Sequence, residues 1–309
     1  MTNRPGPDVP ARLTRYAWLS IATAVSTVAL KALAWRLTSS VGLLSDALES
    51  LVNVGAAVML LAMLRIAATP ADDAHAYGRN KAEYFASGFE GMLVVVAAGA
   101  IAYSATYRLL HPRPLDHAEV GLVLTTVASG LNLFVSRFLM RAGRRHRSVA
   151  LEADAQHLMT DVWTSGGVIL GVALVTLTGW LVLDPIIALA VAVNILFIGW
   201  RLLKESVGGL MDAAWATDER AVLESVLDEF RSEGLRFHAV RTRRSGARRF
   251  ASFHVLVPGS WTVQRGHDLL EEIERRIAGR VPAVTVDTHL EPIEDPSSYE
   301  DQRLDRDYS

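Results

Sequence analysis

The 309-residue chain contains no cysteine, which excludes a disulfide framework and any thiolate site for a soft metal such as Cu(I). A metal bound here must be held by imidazole, carboxylate, amide or water, donors that suit zinc, iron, manganese or cobalt. Charge is also missing over long stretches: residues 92–102 and 186–198 carry no ionisable side chain. With 50% hydrophobic residues and a mean hydropathy of +0.23, such dry runs are not those of a soluble domain. A good cleavable signal peptide is lacking as well. The first apolar segment follows a polar, proline-rich leader, is long for a signal core and carries Lys31 near its end.

A helix crossing the hydrocarbon core needs about 20 mostly apolar residues. Six segments approach that, at roughly 16–37, 41–66, 85–110, 118–140, 151–179 and 184–203. The formal net charge of −2 says little, but its distribution says more. If both termini lie inside, the inner segments hold Arg4, Arg12, Arg15, Arg65, Arg79, Lys81, Arg141, Arg144, Arg145, Arg147, Arg201 and Lys204, against Arg36, Arg108 and Arg113 outside. The positive-inside bias therefore places both termini in the cytoplasm. The basic cluster RRHR between the fourth and fifth spans reads as an orientation signal meeting anionic lipid head groups, and no nucleic-acid partner is expected of a short loop pinned to a bilayer.

Within the apolar segments sit two polar doublets, Glu49 with Asn53 and His157 with Asp161. Residues four apart share one helix face, and an ionisable group inside a membrane helix is expensive enough to mark a functional site. Facing doublets would supply four oxygen and nitrogen ligands to one ion. The competing physical roles are helix-packing glue for Asn53 and a simple pairing of His157 with Asp161. Asp46, one turn before Glu49, reads as a solvated end or vestibule acid rather than a ligand.

Beyond Leu210 the chain turns charged and amphipathic. Residues 218–232 have helical spacing, FHAVRTR and RFASFHVLV flank the turn-forming RSGA, VQRGHDLLEEIERRIAG is amphipathic with Gly279 as a C-cap, and AVTVDTHLE alternates as a strand. This αββαβ order predicts a small sheet covered on one face by two helices. The expected organisation is a disordered leader at 1–12, a six-helix transmembrane domain at 13–208, a cytoplasmic α+β domain at 209–293 and a disordered acidic tail at 294–309. Four histidines, His238, His254, His267 and His289, fall in the small domain, with Glu291 sharing a strand face with His289 by period two.

The series LLSDALESLVN, DDAHAYGRNKAEYFASGFEG, DAQHLMTDVWTS, GLMD and RTRRSG followed by FHV resembles the cation diffusion facilitators, proton-coupled exporters of divalent metals, from about Tyr16 to Pro292. The resemblance implies six transmembrane helices plus a metallochaperone-like cytoplasmic domain, assembled as a homodimer. It implies a transport site of Glu49, Asn53, His157 and Asp161, with Asn53 standing where many relatives carry Asp. Since an amide cannot ionise, a divalent ion just neutralises Glu49 and Asp161, and metal preference or proton coupling should differ, possible shifts being towards ferrous iron or manganese. Uptake of metal needs deprotonated ligands, so reprotonation from the other side, with His157 as proton carrier, makes antiport a natural mechanism.

The resemblance also implies a loop metal site at Asp72, His75 and position 79. Here Arg79 replaces a ligand with a fixed cation, so that site is expected to be weakened or lost, with Arg79 pairing to Asp72 or Asp73. It further implies a binuclear metal site from the small domain's histidines and Glu291 at the dimer interface, and a charge interlock of Lys81 with Asp212. The expectation is a multi-pass protein of a bacterial inner membrane that exports zinc or ferrous iron, or manganese or cobalt, against protons, and is not an enzyme. A membrane-anchored metal sensor that moves no metal is the alternative, and buried acids in the spans argue against it. A membrane metallohydrolase would need an open coordination position and a general base, and no zincin-like pattern appears in the spans.

Overall fold

The computed structural model describes residues 8–38, 41–111, 118–232 and 234–300. Six long helices come first: α1 Asp8–Thr38, α2 Val41–Ala67, α3 Ala82–Leu110, α4 Ala118–His146, α5 Val149–Thr178 and α6 Leu183–Leu210. Then follow α7 Thr217–Arg231, β1 Arg236–Ser245, β2 Arg248–Val257, α8 Val263–Arg280, β3 Val284–Pro292 and a 3₁₀ turn, Pro296–Tyr299. The chain divides into two compact units near Gly208/Gly209.

In the helical unit, Leu13, Leu60, Leu64, Leu139, Leu151 and Leu158 form the main core shared by α1, α2, α4 and α5. Among the described residues, Leu13–Leu33, Ala82–Leu110 and Pro185–Leu210 are long and apolar enough to cross a membrane on composition alone. The stretch Asn53–Ala67 of α2 is a shorter apolar helix among the described residues. Helices α3 and α6 approach closely because they cross at glycine. A Cβ on Gly199 would meet the Gly91 carbonyl oxygen at 3.1 Å, and one on Gly91 the Leu203 nitrogen at 3.1 Å.

The helices overrun the hydropathy-based spans, because a helix once nucleated propagates through polar sequence. Thus α4 runs on to His146, so most of the basic cluster is helical rather than loop. Helix α1 begins at Asp8, so residues 8–12 are helix and not leader; Pro10 sits in the first turn, where its missing N–H has no intrahelical role. The turn into α5 passes through Arg147 at φ 55°, and the Ser148 hydroxyl there donates to the buried Glu83 carboxylate of α3 at 2.5 Å.

The second unit is a three-stranded sheet in the order β1-β2-β3, with β1–β2 antiparallel and β2–β3 parallel. Alternate β2 residues Ala251, Phe253, Val255 and Val257 pack with Leu223, Leu227 and Phe230 of α7 and Ile273 and Ile277 of α8. Both helices therefore cover one face, as the αββαβ order predicted. Gly246 at φ 55° serves the tight β1–β2 turn. Helix α8 ends at a Val281 C-cap, not at Gly279.

The segment expected as a disordered tail is ordered through residue 300. Asp295 caps the 3₁₀ turn, Ser298 Oγ donates to the Pro292 carbonyl at 2.9 Å, Tyr299 Oη donates to the Ile293 carbonyl at 3.0 Å, and Glu294 accepts from the Gly259 amide at 2.8 Å. Its acidic and polar side chains are consumed by these local bonds, which composition cannot reveal. Residues 301–309 lie outside the described residues.

Candidate functional site

Three of the four expected transport ligands are brought together between α2 and α5. Asn53 Nδ2 donates to Asp161 Oδ2 at 2.8 Å, and Asn53 Oδ1 faces His157 Nε2 at 3.0 Å. Asp161, when ionised, only accepts hydrogen bonds, so it sets the Asn53 amide with its oxygen towards the ring. The backbone of Glu49 lies on α2, but its side chain is outside the described residues.

Four further polar residues surround this chain. Asn132 of α4 donates to Asp161 Oδ2 at 3.2 Å. Glu90 of α3 is 1% exposed, and its Oε2 lies 3.5 Å from His157 Nδ1. Asp154, one turn before His157, is 2% exposed and accepts from Ser20 Oγ of α1 at 3.0 Å. Counting only Glu49 and Asp161 as acids is therefore incomplete, because Glu90 of α3 and Asp154 of α5 add two buried carboxyl groups. Glu90 was findable by the rule that picked out Glu49: it is a lone acid in the apolar run FASGFEGMLVVVAAG. Asn132 had no comparable signal, since a lone membrane amide is common packing material.

On the loop after α2, Arg79 Nη2 pairs with Asp72 Oδ2 at 2.6 Å, the ion pair expected from the replacement at position 79. His75 stays beside them, its amide donating to Asp72 Oδ1 at 2.8 Å and its Nδ1 at 3.4 Å from the same oxygen. The Arg79 hydrogen bond, helped by that amide, holds the Asp72 carboxyl below the usual aspartate range.

In the small domain the sheet itself assembles a ligand cluster. His238 is registered against His254 across β1–β2, and His254 against His289 across β2–β3. These side chains and Glu291 stand on the face opposite the two helices. His238 Nε2 is 2.9 Å from Glu291 Oε2, His254 Nδ1 is 3.2 Å from Glu291 Oε1, and the two ring nitrogens are 3.1 Å apart. Three potential ligand atoms, one from each side chain, thus converge within 4.8 Å of one another, as a cation site requires.

A β-bulge between His238 and Arg241, with Ala239 at φ 50°, aims His238 inward. Such a residue in the left-handed region costs about 1–2 kcal/mol. His289 is the exposed member, 3.5 Å from Glu291 Oε1. His267 is not part of the cluster: it lies exposed on α8, behind the sheet. Sequence spacing along α8 could not show on which side of the sheet that helix would pack.

Lys81 precedes the first residue of α3. Asp212, at φ 58°, ends the turn after α6 and pairs with Arg243 at 3.4 Å. The two belong to different units, and Asp212 pairs with this arginine of its own unit.

Six long helices with buried polar side chains thus precede a small α+β domain that carries a histidine–carboxylate cluster. Residues 17–211 match the cation efflux transmembrane domain, and residues 216–293 match the cation efflux protein cytoplasmic domain. The chain belongs to the cation efflux, or cation diffusion facilitator, family. It is 53% identical over 291 residues to an uncharacterized transporter of Synechocystis sp., covering 94% of each chain. It is 31% identical over 280 residues to the cation-efflux pump FieF of Escherichia fergusonii, covering 91% of this chain and 93% of the pump. Against FieF of Serratia proteamaculans the identity is 32% over 285 residues, covering 91% and 94%. The protein is thus an integral membrane transporter of metal cations, in a family of transporters rather than enzymes.

Proposed function

We propose that the protein is a homodimeric, proton-coupled antiporter that expels divalent cations, zinc or ferrous iron foremost, from the cytoplasm. The observation that carries this reading is the Asn53–His157–Asp161 chain of contacts between α2 and α5. It gathers amide, imidazole and carboxylate donors within a span, and Glu49 on the same face of α2 supplies the fourth. Each ionisable ligand must shed its proton to take the metal, so binding and proton release are one exchange. Both termini lie inside, by the basic bias of the inner loops, and the membrane is the bacterial inner membrane.

The His238–His254–Glu291 cluster is proposed as a cytoplasmic metal site, with exposed His289 available to a second ion or subunit. Metal there would couple the cytoplasmic level to transport. Reversing the charge at Lys81 or at Asp212 should impair function, and swapping both should restore it. The test of the whole reading is flux in reconstituted vesicles with an imposed pH gradient, scanned over zinc, iron, manganese and cobalt. Metal movement that collapses without the gradient is expected. Metal binding without movement in either direction would establish the sensor alternative instead.

A further inference from the structure

The two nitrogens of His157 face different neighbours. Nε2 faces Asn53 and the proposed transport ligands, whereas Nδ1 faces Glu90 Oε2 of α3 at 3.5 Å. His157 is 6% and Glu90 1% exposed, and water has little access to either. Among the described residues, neither Glu90 oxygen nor His157 Nδ1 has a hydrogen-bond partner. Two unsatisfied polar groups buried side by side are costly as they stand, and a shift of about 0.5 Å would bring them to hydrogen-bonding distance. An imidazole that ligates metal through one nitrogen characteristically donates its other N–H to a carboxylate, which fixes the tautomer and the ring plane.

We propose that Glu90 is the positioning residue of His157: it accepts the Nδ1 proton, so the ring offers Nε2 to the transported ion. This rests on His157 being a ligand of the transport site. Its carboxylate sits on α3, a helix from which the expected ligand set draws nothing, so metal binding is tied to three helices rather than two. Glu90→Gln keeps an acceptor oxygen and the side-chain volume; Glu90→Leu keeps the volume and removes the acceptor.

The experiment measures Zn²⁺ affinity in the full-length purified protein carrying His254→Ala and Glu291→Ala, so that the small-domain cluster is disabled. Wild type at position 90, Glu90→Gln, Glu90→Leu and His157→Ala are compared, together with the ¹⁵N shifts of the His157 ring. Expected is loss of the site in His157→Ala, affinity weakened about 10–100-fold in Glu90→Leu, and recovery of most of it in Glu90→Gln. The metal-loaded ring should show a protonated Nδ1 and metal on Nε2, an assignment that Glu90→Leu blurs and a merely structural residue would not touch. If His157→Ala abolishes binding while Glu90→Leu binds like wild type with unchanged ring shifts, the positioning role is overturned and the ligand reading stands. If His157→Ala binds like wild type, the ligand reading fails and takes this role with it.

Discussion

At the scale of single residues, Asn53 has the largest leverage. Its amide is locked between an acceptor, Asp161, and a ring nitrogen of His157, so Asn53→Asp changes more than one charge. A carboxylate cannot donate to Asp161, and two acids 2.8 Å apart would repel until a cation or proton came between them. Asn53→Asp should therefore bind metal more tightly but release it less readily, and change the ratio of zinc to iron transport by about tenfold, or ~1.4 kcal/mol. Vesicle flux across metals checks it; an unchanged selectivity profile would sink the idea. The doublet rule made Asn53, His157 and Asp161 legible because four-residue spacing and membrane cost are both written in the chain. It did not reveal that Asp154, three residues before His157, would be buried against Ser20 of α1, since which helices become neighbours is decided by packing.

At the scale of elements, the loop between α2 and α3 and the last described turn of the chain each carry a test. Asp72, His75 and Arg79 already lie within bonding distance, and the guanidinium occupies a carboxylate oxygen that a cation would need. Arg79→His would remove the chief cause of the lowered Asp72 pKa and supply a third ligand. The variant should bind one more divalent ion per chain than the parent, counted by equilibrium dialysis. Equal stoichiometry would show that the loop geometry, not Arg79, closes the site. The tail makes the opposite case for legibility. Its acidic composition reads as disorder, yet Tyr299 packs edge-on to His238 with ring centroids 6.2 Å apart, and Leu256 on the same sheet face is 2% exposed. Truncation after Ile293 should therefore leave the strands intact but speed metal loss to a chelator severalfold. Unchanged release kinetics would reduce the turn to a passive end.

At the scale of the molecule, the two units carry their chemistry in different ways. The helical unit places ligands on helix faces, which the sequence period exposes. The small unit places them by strand register and a bulge, and a single-residue slip would have sent His254 to the helix-covered face. That face is filled by Phe253 and Val255, fully buried, so core packing fixes the register that builds the ligand cluster. Because His238, His254 and Glu291 come from three strands, an ion bound there would tie the sheet together and favour the native state. At a metal concentration 100 times its dissociation constant, the gain is about 2.7 kcal/mol. Zinc should accordingly raise the thermal stability of the full-length protein. His254→Ala should remove most of the increment from this site while leaving the transport ligands in place. If zinc promotes dimerisation of the parent and the same substitution abolishes that effect, the exposed His289 edge is part of the subunit contact. Dimers that form equally well in both proteins, with or without metal, would confine the cluster to stabilising its own domain.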